Sequence, residues 1–356
     1  MDTDLKRICD DFVKNHYFSG TCLIKQDNNI LLEYACGMAH KGFQIPNNID
    51  TKFNTASITK VFTAVAVLQM IEQGTFSLTD KITDLVDLSG TKIPNDVTVE
   101  HLLTHSSGIA NDVDDDESYN TYFLDLPNYS IRNTADFLPY FAYKNPLFKA
   151  GTAAKYNDCA FVLLGLAIEK YSGDDYRTFV REHIIEPLQL KNTAFCAIDE
   201  VNENTAEGYF RIRDEDGKFV KWRKNIYSYP PIGTPDGGIY SSVGDLIDFM
   251  KSFRKGTLLS PKYSELMMQP HCEYHWQDLW GNRPPINIRP GYGLDFIEVD
   301  NRIVYIGKDG GYPGNHARMS YLPEIDVSVA ILSNHDCNIW EMHRQMESVL
   351  GLPQLS

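Results

Sequence analysis

The chain has 356 residues, 43% of them hydrophobic, and a net charge of −15. That length supports a sizeable core, and the acidic balance argues against binding nucleic acid or anionic membrane surfaces. No apolar run reaches the roughly 18 residues that a membrane-spanning helix needs.

The N-terminal stretch MDTDLKRICDDFVKNHYF reads as an amphipathic helix. It lacks a basic start followed by an apolar core, so it is not a signal peptide, and a cytoplasmic protein is expected. GTCLIKQDNNILLEYACG (20–37) reads as a hairpin turning on Asp27-Asn28-Asn29. Residues 57–73 read as a helix stopped by Gly74. From about 75 to 230 the pattern is of helical segments broken by loops, among them VEHLLTHSSGI (99–109) and FVLLGLAIEKYSG (161–173). FRIRDEDGKFVKWR (210–223) looks like a second hairpin, turned on Asp216-Gly217. VGDLIDFMKSFRKG (243–256) is a helix, strands follow at 292–299, 302–307, 316–323 and 327–334, and a last helix runs to about 350.

Strands at both ends and helices between them predict a mixed α+β fold. One antiparallel sheet is built from the two termini, flanked by helices, with a mostly helical insertion. The expected division is 1–75 with 231–356 as the sheet subdomain and 76–230 as the helical one, with the active site at their seam. Seven scattered cysteines without a C-x-x-C pair point to free thiols in a reducing compartment rather than a disulfide framework or a zinc site.

FNTASITKVF (53–62) places Ser57 and Lys60 three apart where a polar run becomes an apolar helix. Positions i and i+3 share a helix face, so the Lys60 amine reaches the Ser57 hydroxyl. A serine hydroxyl needs a base and an oxyanion site to act as a nucleophile. A lysine serves as that base when burial or a neighbouring cation weakens its hold on the proton. The helix dipole adds positive potential at Ser57. Taken alone, the pair is more often an N-cap serine and a surface lysine, and its company decides.

Further motifs stand in order behind it: VTVEHLLTHSSGI (97–109), AGTAAKYNDCAFVLLGLAIEK (150–170), TPDGGIYSSVGDLIDFM (234–250) and IGKDGGYPGNHARMSYLP (306–323). Together these resemble the serine β-lactamase and penicillin-binding protein superfamily, whose S-x-x-K signature Ser57 and Lys60 match. The nearest branch is similar to class C β-lactamases, D-alanyl-D-alanine carboxypeptidases and esterases, and the resemblance runs from about residue 18 to 350. It implies Ser57 as acylated nucleophile, Lys60 as its proton partner, Tyr156 as general base or proton shuttle, and Lys308 as the lysine of the third motif. It implies an oxyanion hole from the backbone N–H groups of Ser57 and Gly311. Two cations beside Tyr156 are expected to favour its phenolate.

Asp158, Asp309, Gly310 and His316 are expected on the substrate side. Asp158 replaces the family's usual Asn, and is expected to hold Lys60 as an ammonium and make it a poorer base. Asp309 replaces the usual Thr or Ser, and is expected to repel a substrate carboxylate. Neutral esters or substrates with a free amine are then preferred.

Other candidates carry less. HCEYH (271–275) does not match a zinc-protease motif, NDVDDDES (111–118) lacks the Gly and distal Glu of a calcium loop, and Tyr274, Trp276 and Trp280 fit either a cleft wall or core packing. His105 reads as a structural hydrogen-bonding residue. The expected protein is a serine hydrolase with no metal and no cofactor, acting on a small ester, amide or peptide. An esterase or D-aminopeptidase/carboxypeptidase-like amidase is the first reading. A class C-like β-lactamase or D-Ala-D-Ala carboxypeptidase is the alternative, and a degenerate ligand-binding member the alternative of another class.

Overall fold

The computed structural model describes residues 2–113, 127–273 and 286–352. Gly20–Gln26 (β1) and Asn29–Cys36 (β2) form the first hairpin. Asp27 turns it at φ +51°, a left-handed conformation that a short polar side chain tolerates. The C-terminal strands are Ile286–Pro290 (β3), Asp295–Val299 (β4), Arg302–Tyr312 (β5), Asn315–Leu322 (β6) and Val327–Ser333 (β7). Among the described residues the sheet runs β2-β1-β7-β6-β5-β4-β3, with every neighbouring pair antiparallel. Gly20 stands opposite Ser333 and Gln26 opposite Val327, so the two ends of the chain share one sheet, as the terminal strand patterns predict.

Helices Asp2–His16 (α1), Thr59–Glu72 (α2), Cys159–Ser172 (α3), Val243–Arg254 (α4) and Ile339–Val349 (α5) are the long ones among the described residues. Strand alternation sends side chains to opposite faces of the sheet. Ile306, Ala317, Met319, Ala330 and Leu332 join a core with α2, α3 and α4. Tyr305, Leu322, Val329 and Ile331 pack on the other side against Leu5, Ile8 and Phe12 of α1 and Met342 and Met346 of α5. The sheet is thus the middle of three layers. Every residue of α2 from Thr59 to Leu68 is buried, as expected of a helix apolar on all sides. It stops at Gly74, φ +76°.

Two expectations change. Among its described residues the 75–230 region is less helical than expected, with only short helices such as Val99–Leu103 outside α3, while the expected hairpin forms from Tyr209–Arg213 and Phe219–Lys224. The strand expected at 302–307 continues through Lys308, Asp309 and two glycines to Tyr312, because β6 offers a partner along its whole length. Among the described residues, no helix is long and apolar enough to cross a membrane.

Candidate active site

Phe53–Asn54 pairs with Tyr240–Ser241 and delivers the chain to a single 3₁₀ turn, Ala56–Ile58, that opens α2. Ala56 lies at φ +46°, a conformation that costs a non-glycine residue on the order of 1 kcal/mol. It is held from both sides: Asn54 Oδ1 accepts its N–H at 2.9 Å, and its carbonyl accepts from Thr59 Oγ1 at 2.7 Å. This turn presents Ser57.

Lys60 is fully buried. Its ammonium donates to Ser57 Oγ at 3.2 Å, to Asp158 Oδ1 at 2.5 Å and to the Asp236 carbonyl at 2.5 Å. An ammonium has three protons, and each has an acceptor here. Asp158 stands at the start of α3, 16% exposed. Asn111 fixes it, accepting its N–H at 3.0 Å and donating to Oδ2 at 3.5 Å.

The Tyr156 hydroxyl donates to Ser57 Oγ at 2.6 Å. Its ring lies between two ammoniums, with Lys60 Nζ 5.0 Å and Lys308 Nζ 4.8 Å from the centroid. Burial, and then the Asp158 carboxylate, push the phenol well above its ordinary value. The expectation of a resting phenolate is therefore corrected: Tyr156 is a neutral phenol, because desolvation opposes its charge and a carboxylate lies near. His105, at φ +58°, packs its ring 4.7 Å from that of Tyr156, and its Nδ1 accepts the Asn157 N–H at 3.1 Å. Burial and the Lys308 and Lys60 charges hold it well below the usual histidine range, so it is neutral.

Lys308 arrives on β5, with its ammonium 2.9 Å from Asp295 Oδ2. Gly310 lies on the same face, and a Cβ there would stand 2.1 Å from Thr55 O and 3.0 Å from Ser57 N. Only glycine lets β5 lie this close to the Ser57 turn. Gly311 follows, opposite His316.

Two residues expected on the substrate side are elsewhere. Asp309 projects to the opposite face, where Trp340 Nε1 donates to it at 2.7 Å and Arg318 Nη1 lies 3.3 Å away. His316 shares that face, with Nδ1 2.6 Å from the Cys337 carbonyl and its ring 5.0 Å from Trp340. The reason is the two-residue period of a strand: Lys308 and Asp309 cannot both face Ser57. Asp309 therefore does not set the substrate charge. His271 packs against Tyr292, with ring centroids 3.7 Å apart. His275, Tyr274, Trp276, Trp280 and residues 114–118 of the acidic stretch lie outside the described residues.

Three site residues went unrecognised in the sequence: Asn111, Asp236 and Asp295. Asp236 sits in the glycine turn of TPDGG. Thr234 Oγ1 donates to its Oδ1 at 2.7 Å, and burial pushes its carboxyl up to about 7, with Lys60 opposing and Asp158 adding. Neither aspartate has a spacing that marks it, since each reaches a lysine distant in the chain.

A helix-flanked antiparallel sheet with Ser, Lys and Tyr meeting at the start of a buried helix defines the β-lactamase/transpeptidase fold. The Beta-lactamase family model matches residues 5–346, and the chain belongs to that family, whose members are serine hydrolases. The penicillin-binding protein from Bacillus halodurans superposes with a TM-score of 0.86 at 30% identity, over 97% of this chain and 99% of that one. Penicillin-binding protein 4* of Bacillus subtilis (strain 168) is 26% identical over 347 residues, 93% of this chain and 71% of its own length. Protein flp of Staphylococcus aureus (strain MW2) is 25% identical over 266 residues, 73% of this chain, which spans only 50% of that protein.

Proposed function

We propose that the chain is an esterase or amidase of small substrates that works through an acyl-enzyme on Ser57. The observation that carries this reading is the convergence of two proton-bearing groups on one oxygen, Tyr156 OH at 2.6 Å and Lys60 Nζ at 3.2 Å from Ser57 Oγ. A serine at a helix start needs no such pair for structure. In the proposed acylation, Ser57 Oγ attacks the carbonyl and gives its proton to Lys60, while Lys60 gives one to Asp158. The oxyanion is met by the N–H groups of Ser57 and Gly311. As the tetrahedral intermediate collapses, Tyr156 protonates the leaving oxygen or nitrogen and is reprotonated by Lys60. Water then reverses the steps and frees the acid, leaving the enzyme as it began. Lys308 holds the electrostatic balance around Tyr156 from the other side.

Whether the leaving group is an alcohol or an amine sets esterase against D-aminopeptidase/carboxypeptidase-like amidase, and both use the same groups. The test is turnover of p-nitrophenyl acetate by wild type and Ser57→Ala. The account expects a loss of several orders of magnitude in the variant. Equal rates would refute it, and a wild type that turns over no ester would favour a ligand-binding protein.

A further inference from the structure

A substrate carboxylate close to the scissile carbonyl needs a cation whose charge is not already offset by a carboxylate. The ammoniums that flank Tyr156 are those of Lys60 and Lys308. All three protons of Lys60 are taken, by Ser57, Asp158 and the Asp236 carbonyl. The Lys308 side chain is 3% exposed and paired with Asp295, which is 27% exposed, so the carboxylate is the more accessible member of this pair.

Asp295 is held in this place by the chain before it. Gly293, at φ +72°, packs so closely on α2 that a Cβ would stand 2.9 Å from the Lys60 carbonyl oxygen. The turn ahead of β4 thus rests on the helix that carries Lys60. Asp295 opens β4, opposite Gly307, and its carboxylate reaches the Lys308 ammonium at 2.9 Å. Its charge reaches the reacting groups, because it is one of the carboxylates that oppose ionisation of Tyr156.

We propose that Asp295 is a specificity-determining residue: its carboxylate offsets the Lys308 charge, so the substrate is an ester or amide with no carboxylate near the bond that breaks. This rests on the acyl-enzyme reading above and adds the substrate's charge class to it. A carboxylated leaving group finds both lysines neutralised and meets Asp295 besides. A neutral or cationic one meets no such opposition.

The experiment compares 3-acetoxybenzoate with 3-acetoxybenzamide, which share an acetyl group and differ in a carboxylate or a carboxamide on the leaving phenol. The readout is the acid-to-amide ratio of kcat/KM within each protein, so any general loss of activity cancels. Wild type should favour the amide, and Asp295→Asn should raise the ratio about tenfold or more, through KM. A ratio unchanged within about twofold would overturn the assignment. So would a wild type that favours the acid, a result that needs no variant. If p-nitrophenyl acetate is turned over while the ratio stays put, only the role of Asp295 fails. If no ester is turned over, the acyl-enzyme reading fails and takes this inference with it.

Discussion

Ser57 Oγ accepts from Lys60 and Tyr156 together, so these groups act on one proton path. Their effects should then not add. Lys60→Ala, Tyr156→Phe and the double variant are expected to show similar residual ester turnover; losses in activation free energy that simply sum would separate the two roles. Asp158 divides two accounts of the base. As the final proton acceptor it is needed, and Asp158→Asn should slow acylation at neutral pH by about tenfold or more. If it only held Lys60 charged, the same variant would acylate faster. Asp236 supplies a stability test. Its folded value of about 7 stands above the ordinary aspartate value of 3.8, so between these limits the folded state binds more protons than the unfolded. Stability from this group is present at low pH and lost as pH rises through 7. Asp236→Asn cannot ionise, so its stability relative to wild type should increase between pH 4.5 and 7.5 in urea unfolding, by on the order of a few kcal/mol. A constant difference across that range would mean that Asp236 does not titrate there.

At the scale of elements, the site depends on β5 lying against the turn that opens α2. Gly310 permits that contact, since a Cβ there meets the backbone at Thr55 O and Ser57 N. Backbone cannot move aside as a side-chain end does. Gly310→Ala should therefore destabilise the fold by a few kcal/mol and slow fluorophosphonate labelling of Ser57. Gly311→Ala is the control for stability, because its added Cβ meets only His316 Cδ2 at 3.8 Å. Equal denaturation midpoints for the two variants would show that the contact at Gly310 is not tight.

Across the whole molecule, most of the frame was legible in the sequence. The strand patterns near both termini and the all-round apolar α2 announce a sheet closed by the two ends and a buried helix behind Ser57. The ordered motifs named Ser57, Lys60 and Tyr156, and the fold brings them within hydrogen-bonding distance. Asp309 and His316 were misplaced because motif position was followed over strand period: Asp309, next to Lys308 in the chain, looks to the other face, and His316 pairs with Gly311 on that same face. Asn111, Asp236 and Asp295 were missed because each acts on a group far away in sequence, which only folding brings near. The phenolate expected at Tyr156 failed on burial, which lysine count alone does not report.

The central claim is a covalent acyl group on Ser57, and its most direct test is the mass of the protein stopped with acid during turnover of a p-nitrophenyl ester. The account predicts a gain equal to one acyl group, mapped to the peptide that holds Ser57 and absent from Ser57→Ala. An acyl group on another residue, or ester turnover in the Ala variant with the same adduct, would contradict it.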